Sequence, residues 1–342
     1  ADEPTSALDV TTQMTILRLL RTLQAERGMG VLFITHDLGV VAEIADRVVV
    51  MRHGQLVESG HVVDVLHRPQ HPYTRTLIAG LRRERDARDR SVLTPAQPIL
   101  QVRSVSKLFR RGVGLFRRGR SICAVDAAEL VLHRGETLGL VGESGSGKST
   151  LARCVVRLLD VTEGSIRFRE TELATLAESE MRKVRSGIQM IFQDPYASLN
   201  PRQRVLDIIA DGPAAHGVDR SEARAHARSL LRRVGLGEKA AERFPHEFSG
   251  GQRQRIGIAR ALALRPELLV CDEPVSALDV TVQAQILDLL AEIRHEFGLS
   301  MLFITHDLRV AARVCDRVAV MKGGRIVEIG GVAEVFGSPR HA

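Results

Sequence analysis

A glycine-rich segment between two apolar stretches limits the folds open to this chain more than any other feature. Residues 138–141 read as a buried strand, and residues 151–159 read as a helix. Between them lies Gly142-Glu143-Ser144-Gly145-Ser146-Gly147-Lys148-Ser149-Thr150, a complete phosphate-binding loop (P-loop) in its required context. Glycines let backbone N–H groups surround phosphate oxygens, and the helix N-terminus adds a partial positive charge. We therefore expect Lys148 to reach the β and γ phosphates of a nucleotide and the Ser149 hydroxyl to bind Mg²⁺.

A second predicted strand ends in two adjacent carboxylates. Residues 268–271 are apolar and are followed at once by Asp272 and Glu273. Parallel α/β sheets place their ligands at the carboxyl ends of the strands, so both side chains are expected at that edge. We predict that Asp272 holds Mg²⁺, usually through water, and that Glu273 orients and polarises the water that attacks the γ phosphate.

Two further polar residues follow predicted strands. Gln193 comes after the apolar residues 188–192, and His306 follows the predicted strand at residues 300–304. We expect His306 to donate to the γ phosphate in the transition state, and Gln193 to contact Mg²⁺ and the attacking water. Each residue taken alone is more often structural, so both assignments depend on the P-loop upstream.

A second anion-binding cap lies between these motifs. Ser249, Gly250, Gly251 and Gln252 stand before residues 256–264, which have helical spacing. A serine and two glycines at a helix start can bind an anion through the first N–H groups of the helix. One nucleotide rarely needs two such caps. The economical explanation is that this cap serves a nucleotide held by a different domain.

The chain also contains an internal repeat. A shift of 270 positions (271 − 1) aligns residues 1–71, the first copy, with residues 271–341, the second copy, without a gap. Roughly half of the aligned residues are identical, and Glu3 matches Glu273. The first copy contains neither a P-loop nor the Ser-Gly-Gly-Gln cap. Glu3 and His36 therefore look like half of a catalytic set, and we expect the first copy to be the distal third of a domain.

Length and composition favour about two domains with sizeable cores, because the chain has 342 residues of which 44% are apolar. The net charge of +7 is a weak signal for nucleic acid, because basic residues are interleaved with acidic ones. The four cysteines are far apart and form no C-x-x-C pair, which fits a reducing cytoplasm. No apolar run approaches the ~18 residues that a membrane span needs.

Taken together and in this order, the P-loop, Gln193, the Ser-Gly-Gly-Gln cap, the Asp-Glu pair and His306 resemble the ATP-binding cassette (ABC) ATPases. The resemblance covers essentially the whole chain. It implies an α/β fold, namely a P-loop NTPase ABC cassette with a RecA-like core, an antiparallel β subdomain and a helical signature subdomain, preceded by the distal third of a second cassette. In that family two cassettes pack head to tail, and each nucleotide lies between one P-loop and the partner's signature cap.

The resemblance also assigns ATP and Mg²⁺ as ligands. It implies catalytic roles for Glu273, His306, Gln193 and Lys148. The family's adenine-stacking aromatic precedes the P-loop; Phe109 resembles it, and Phe116 is the second candidate. The implied Mg²⁺ ligands are Ser149, Gln193 and Asp272. The implied ATP contacts are Phe109, Gly142, Glu143, Ser144, Gly145, Ser146, Gly147, Lys148, Ser149, Thr150, Ser249, Gly250, Gly251, Gln252 and Asp279.

Finer features resemble the ATPase subunits of oligopeptide, dipeptide, nickel and glutathione importers. They are residues 192–201 (FQDPYASLNP), the segment Pro245-His246-Glu247 and the segment His71-Pro72-Tyr73-Thr74. The resemblance implies a peripheral subunit on the cytoplasmic face of the inner membrane that hydrolyses ATP to power import of peptides or a related small solute. The implied partners are integral-membrane permeases, a second cassette and, indirectly, an extracytoplasmic solute-binding protein; no nucleic acid is expected.

On this interpretation residues 1–80 are the C-terminal part of a first cassette, residues 81–98 are a linker and residues 99–342 are a complete cassette. We expect no composite site within one chain, so that activity needs two chains paired as a C₂ dimer through their complete cassettes. Two alternatives remain open. One is a soluble two-cassette ABC protein that acts on ribosomes or DNA, and the other is a non-functional fragment of a longer ATPase.

Overall fold

The computed structural model describes residues 1–5, 10–35, 37–83, 97–111 and 120–341. Contacts between Cα atoms divide the chain into two compact units. Unit 1 comprises Ala1–Asp89 and Asp279–Gln285, and unit 2 comprises Arg90–Leu278 and Ile286–Ala342. Within the described ranges, no helix combines the length and apolar character that crossing a membrane requires.

The strands are β1 (Arg47–Arg52), β2 (Gln55–His61), β3 (Pro98–Arg111), β4 (Arg120–His133), β5 (Thr137–Val141), β6 (Glu163–Phe168), β7 (Thr171–Glu172), β8 (Ile188–Ile191), β9 (Leu268–Asp272), β10 (Ser300–Thr305), β11 (Arg317–Lys322) and β12 (Arg325–Gly331). The helices are α1 (Val10–Arg27), α2 (Leu38–Ile44), α3 (Val62–His67), α4 (Pro72–Arg83), α5 (Lys148–Val155), α6 (Glu178–Val184), α7 (Pro195–Ser198), α8 (Val205–Ala215), α9 (Arg220–Arg233), α10 (Gly250–Leu262), α11 (Val280–Phe297), α12 (Leu308–Val314) and α13 (Val332–Gly337). Two short 3-10 helices lie at Glu238–Glu242 and Pro245–Glu247.

A six-stranded sheet in the order β12-β11-β5-β10-β9-β8 forms the centre of unit 2. Five of its strands run parallel, and β12 pairs antiparallel with β11. β5, β9 and β10 are buried at every position, as expected for apolar strands of a parallel sheet that is covered on both faces.

The parallel register aligns the carboxyl ends of the central strands. Thr305 pairs with Val141, and Ile304 pairs with Asp272. In the same way, Ile191 at the end of β8 pairs with Cys271 in β9. The segments that follow β5, β8, β9 and β10 therefore leave the sheet at one edge, where the sequence predicted the nucleotide site.

A second, antiparallel sheet has the order β4-β3-β6-β7. One hydrophobic core joins it to the parallel sheet and to α5, with Leu140, Leu151 and Phe168 among its fully buried members. α8, α9 and α10 pack against one another and form the helical part of unit 2. These features confirm the predicted α/β cassette fold with its antiparallel β and helical parts.

Unit 1 repeats local geometry that is also found in unit 2. β1 pairs antiparallel with β2 and has a register shift between Val50 and Met51, and β11 has the same shift between Val320 and Met321 when it pairs with β12. An isolated parallel bridge joins Asp2 to Ile34, the counterparts of the β9 and β10 residues Asp272 and Ile304. The sequence repeat therefore extends to backbone pairing.

The predicted domain boundaries stay predictions. α4 continues to Arg83, three residues past the predicted end of the first domain at residue 80. Most of the predicted linker, residues 84–96, lies outside the described residues. The assignment of residues 1–80 to part of a cassette likewise remains a prediction.

Candidate active site

The P-loop connects β5 to α5 through glycines that no other residue can replace without strain. Gly142 has φ +153° and Gly147 has φ +104°, both in a region that side chains with a Cβ rarely adopt. A Cβ on Gly142 would lie 2.1 Å from the Met321 carbonyl oxygen, and a Cβ on Gly147 would lie 2.1 Å from the Ala124 carbonyl oxygen. Backbone from β11 and β4 therefore fixes the shape of the loop.

Lys148 begins α5 and is buried against the loop. Its Nζ donates to the carbonyl oxygens of Gly142 at 2.8 Å and Glu143 at 2.7 Å. The ammonium group therefore already lies within the curve of the loop, where phosphate oxygens are expected. The other predicted ATP contacts of this segment lie in the loop or the first turn of α5; they are Ser144, Gly145, Ser146 and Thr150.

Ser149 and Asp272 bring two oxygen ligands together from α5 and β9. The Ser149 Oγ donates to Asp272 Oδ1 at 2.8 Å, and Asp272 is almost completely buried. Burial raises the pKa of Asp272 above its ordinary value, although the Ser149 hydrogen bond and the charge of Arg153 oppose this shift.

A hydroxyl and a carboxylate form a donor set that suits Mg²⁺. The described residues contain no group of three or more His, Cys, Asp or Glu side chains that could hold a metal ion. Mg²⁺ is commonly bound by one or two protein ligands together with waters and phosphate oxygens, which suits the Ser149–Asp272 pair.

Glu273 lies at the centre of a three-residue contact. Its Oε2 accepts a hydrogen bond from Gln193 Nε2 at 3.0 Å, and its Oε1 lies 3.2 Å from His306 Nδ1. Its backbone has φ +46°, and its N–H donates to the Ile304 carbonyl oxygen at 3.0 Å. A residue other than glycine at positive φ is strained, and such strain concentrates at functional sites. The backbone thus aims the carboxylate between Gln193 and His306.

The charges of this group support one another. Burial acts to raise the pKa of Glu273, but the hydrogen bond and charge of His306, together with the charge of Lys148, hold that pKa below its ordinary value. The hydrogen bond to Glu273 raises the pKa of His306 despite burial. An ionised carboxylate beside an imidazole is suited to orienting a water molecule and accepting its proton.

The predicted signature cap is a regular helix start. Ser249 Oγ accepts from the Gln252 backbone N–H at 3.3 Å, and Gln252 Oε1 accepts from the Ser249 backbone N–H at 3.0 Å. This reciprocal pair is a capping box, and Gly250 and Gly251 form the first turn of α10 behind it. Asp279 plays a similar local role, since its Oδ1 accepts from the Val282 N–H at 3.0 Å at the start of α11.

Phe109 lies on β3, opposite Ile122 of β4, with its ring partly exposed and the Lys107 ammonium 5.4 Å from the ring centre. The alternative candidate, Phe116, and the first-copy residue His36 lie outside the described residues. The roles of these aromatics, of the signature cap and of Asp279 in binding ATP stay predictions.

The structure thus brings six predicted residues to one edge of the sheet: Lys148, Ser149, Gln193, Asp272, Glu273 and His306. Three contributors were missed. The carbonyl groups of Ala124 and Met321 shape the loop but leave no sequence signal, because any residue supplies a carbonyl. Arg153, whose charge acts on Asp272, lies one helical turn after Ser149, and that spacing was the available signal.

Comparisons with known proteins agree with this geometry. The family described as ABC transporter matches residues 125–276. The glutathione import ATP-binding protein GsiA of Shigella flexneri is 48% identical over an alignment of 366 residues. The alignment covers 100% of this chain and 59% of GsiA. The proteins of the same name from Escherichia coli and Shigella boydii match with the same identity and coverage. The chain therefore spans about three fifths of the length of these curated relatives.

Two solved structures extend the comparison. The dimeric ATP-binding cassette MJ0796 bound to ADP and Pi has a TM-score of 0.61 and 30% sequence identity, and the match covers 68% of this chain and 98% of that chain. The protein cbiO1 from Clostridium perfringens, part of the ABC transporter complex cbiONQ, has a TM-score of 0.60 and 29% identity, covering 70% of this chain and 91% of that one. Motifs, site geometry and relatives agree, and the chain belongs to the ABC transporter family of ATP-binding proteins.

Proposed function

We propose that this chain binds and hydrolyses ATP and that hydrolysis drives import of a small solute through partner permeases. The observation that carries the proposal is the position of Glu273, whose two carboxylate oxygens contact Gln193 and His306. This carboxylate follows the buried Asp272, which is bonded to the P-loop residue Ser149. A proton acceptor therefore lies beside a phosphate-binding loop, as hydrolysis of a nucleoside triphosphate requires.

Binding uses residues that are already in place. The N–H groups of the P-loop and the Lys148 ammonium hold the phosphate chain, and Lys148 exchanges its carbonyl partners for phosphate oxygens. Bound Mg²⁺ would supply charge neutralisation at these oxygens, with Ser149, Asp272 and Gln193 as the side chains that hold it. Phe109 is proposed to stack on the adenine.

In hydrolysis, Glu273 orients a water molecule and accepts its proton while the water oxygen bonds to the γ phosphorus and ADP leaves. His306 holds the Glu273 carboxylate in orientation and donates to the γ phosphate as charge develops there. Gln193 contacts the same carboxylate through its amide and helps to fix the water.

The signature cap is proposed to complete the site of another cassette. Ser249 and Gln252 start a helix whose first N–H groups can bind a phosphate, and the similar cassette MJ0796 is described as dimeric. We therefore propose a C₂ dimer of unit 2 in which each Ser249–Gln252 segment faces the partner's P-loop.

The relatives' names favour an importer. Three of them are called glutathione import ATP-binding proteins, so glutathione or a short peptide is the proposed cargo class. The proposed setting is the cytoplasmic face of the inner membrane, with permeases as direct partners and an extracytoplasmic solute-binding protein as an indirect one. These names give no support to the alternative of a soluble protein acting on ribosomes or DNA.

The test compares Glu273→Gln with Glu3→Gln, its counterpart in the first copy. Phosphate release from Mg-ATP is measured per chain over a range of protein concentrations. We expect Glu273→Gln to lower the rate by about 10²- to 10⁴-fold, the usual contribution of a general base, and Glu3→Gln to leave it unchanged. We also expect the wild-type rate per chain to rise with concentration, because two chains must pair.

Sizing chromatography with ATP provides a second measurement, because Glu273→Gln should accumulate as an ATP-bound dimer. A wild-type chain that releases no phosphate, or equal rates for the wild type and Glu273→Gln, would contradict the proposed activity. A rate per chain that is independent of concentration would contradict the dimer.

A further inference from the structure

The segment that carries Gln193 is held by an arginine of α10. Arg260 donates to the carbonyl oxygen of Ser198, and its guanidinium carbon lies 6.0 Å from the centre of the Phe192 ring. Phe192 directly precedes Gln193, and Ser198 ends the short helix that follows it. One side chain therefore contacts the segment on both sides of Gln193.

Arg253 adds a second contact from the same helix. Its guanidinium carbon lies 5.3 Å from the centre of the Tyr196 ring in α7. Arg253 and Arg260 are seven residues apart, or two helical turns, so they project from the same face of α10. α10 accordingly packs against both α7 and β8, the elements on either side of Gln193.

The environment of Arg260 is unusual for a cation. Burial lowers the pKa of its guanidinium from the ordinary value. Its hydrogen-bond acceptor is a carbonyl, and its other contact is the face of a ring; neither carries a net negative charge. Taking a charge out of water for such partners is unfavourable, whereas a planar guanidinium is well suited to donating to an oxygen while it lies over a ring. We therefore interpret these contacts as fixing the positions of Ser198 and Phe192 rather than as stabilising the fold.

The same helix begins at the signature cap. α10 is a continuous helix of 13 residues that follows the Ser249 cap and carries Arg253 and Arg260. The segment that these arginines contact contains Gln193, which donates to Glu273. We propose that Arg260, supported by Arg253, is a positioning residue that fixes Gln193 against the Glu273 carboxylate and thereby links the signature helix to the proposed general base. The inference rests on the proposed ATPase function and adds two residues to those predicted for ATP, Mg²⁺ and catalysis.

Arg255 provides a matched control. It lies on the same helix and also donates to a backbone carbonyl, that of Val234 at 2.7 Å, which follows α9. Its removal costs a comparable hydrogen bond, but to the end of α9 rather than to Ser198. A general loss of helix packing therefore affects Arg255→Gln and Arg260→Gln alike, whereas loss of positioning affects only the second.

The experiment measures kcat, KM for ATP and thermal unfolding of the full chain for Arg260→Gln, Arg260→Lys and Arg255→Gln. We expect Arg260→Gln to lower kcat by about tenfold or more with KM changed less than about twofold, because a small misplacement of a catalytic group is costly while the P-loop is intact. Arg260→Lys should recover part of kcat, since lysine keeps the charge but not the planar fork. Arg255→Gln should keep kcat.

A double-mutant cycle separates positioning through Gln193 from a general effect. In a Gln193→Ala background, Arg260→Gln should lower kcat by less than about twofold, because the group it positions is gone. Full additivity, an unchanged kcat in Arg260→Gln, or an equal loss in Arg255→Gln would each overturn the inference.

Hydrogen exchange tests the contact without any hydrolysis. Backbone amides of residues 197–199 should exchange about tenfold faster in Arg260→Gln and at the wild-type rate in Arg255→Gln, because the Ser198 carbonyl is released only in the former. A wild-type chain without ATPase activity contradicts the proposed function alone. Unchanged exchange at these amides in Arg260→Gln overturns the positioning role itself.

Discussion

Some identical apolar residues of the two repeat copies lie in opposite surroundings. Leu32 is 78% exposed, whereas its identical counterpart Leu302 is completely buried (0% exposed). Met51 is 61% exposed, and its identical counterpart Met321 is 1% exposed. Equal residues in equal sequence contexts therefore differ by most of the burial energy that a large apolar side chain can contribute, about 1.5–3 kcal/mol.

The backbones of the two copies nevertheless have the same hydrogen bond and a similar φ angle at Glu3 and Glu273. The N–H of Glu3 donates to the Ile34 carbonyl at 2.9 Å, and the N–H of Glu273 donates to the Ile304 carbonyl at 3.0 Å. Glu3 has φ +42° and Glu273 has φ +46°. At these positions the backbone conformation is therefore the same in both copies, whereas burial depends on which strands lie alongside.

Leu302 has a strand on each side. In the second copy Leu302 pairs with Leu138 of β5 on one side and with Val270 of β9 on the other. Among the described residues of the first copy, β1 and β2 form a separate two-stranded sheet. Packing in unit 2 thus depends on elements that lie far upstream in the sequence.

The largest expected effect is on stability. Leu302→Ala should lower the free energy of unfolding by about 2–5 kcal/mol, because it opens a cavity in a filled core. Leu32→Ala should change it by less than about 0.5 kcal/mol, because that side chain is mostly in solvent. Urea unfolding of the full chain provides the measurement, and equal losses in the two variants would break the comparison.

Removing the helix cap should instead cost the same free energy in both copies. Asp37 accepts from the Gly39 N–H at 2.8 Å and Asp307 accepts from the Arg309 N–H at 2.8 Å, so each caps its own helix, α2 or α12. Replacing either aspartate by alanine should cost about 1 kcal/mol locally, because a cap acts on its own first turn. Hydrogen exchange of the two helices is the measurement, and a cost more than about twofold larger in one copy would show that capping depends on tertiary context.

The prediction with the smallest effect concerns the titration of His306 and Glu273 in the second copy. The pKa of His306 is raised by Glu273, so its contribution to stability is complete below the unfolded value of 6.5 and is lost as the pH rises through the raised folded pKa. The pKa of Glu273 is lowered from 4.5, so its contribution is present above 4.5 and is lost as the pH falls through the lowered pKa. The pair therefore stabilises the fold most between these two limits.

NMR titration of the His306 ring checks this window. Glu273→Gln should bring the His306 pKa down toward its ordinary value, because the ionised partner is removed. Glu3→Gln is the matched control and should leave the titration unchanged. A His306 midpoint that does not move in Glu273→Gln would show that burial, rather than the pair, controls its charge.

Much of the site could be predicted from the sequence because its motifs are local. The P-loop needs only a strand, glycines, a lysine and a helix in succession. The strand is confirmed, and the helix begins at Lys148 but ends at Val155, four residues before the predicted end at residue 159. The paired carboxylates were likewise expected after a buried strand, and Asp272 ends β9. Gln193 and His306 could be placed at strand ends, but their shared contact with Glu273 could not be derived from spacing along the chain.

The strand–loop–helix unit, the order of the motifs and the repeat follow from the sequence alone, because each depends on residues that are close together or identical. The tertiary structure brings Gln193 and His306 to the two oxygens of Glu273 and places the Ala124 and Met321 carbonyls against the P-loop. It also places Arg260 in contact with Ser198 and Phe192, on either side of Gln193. It also buries Leu302 while it leaves Leu32 exposed. The physical reason is that these contacts join residues far apart in the chain, and their geometry follows from sheet order and helix packing rather than from local preference.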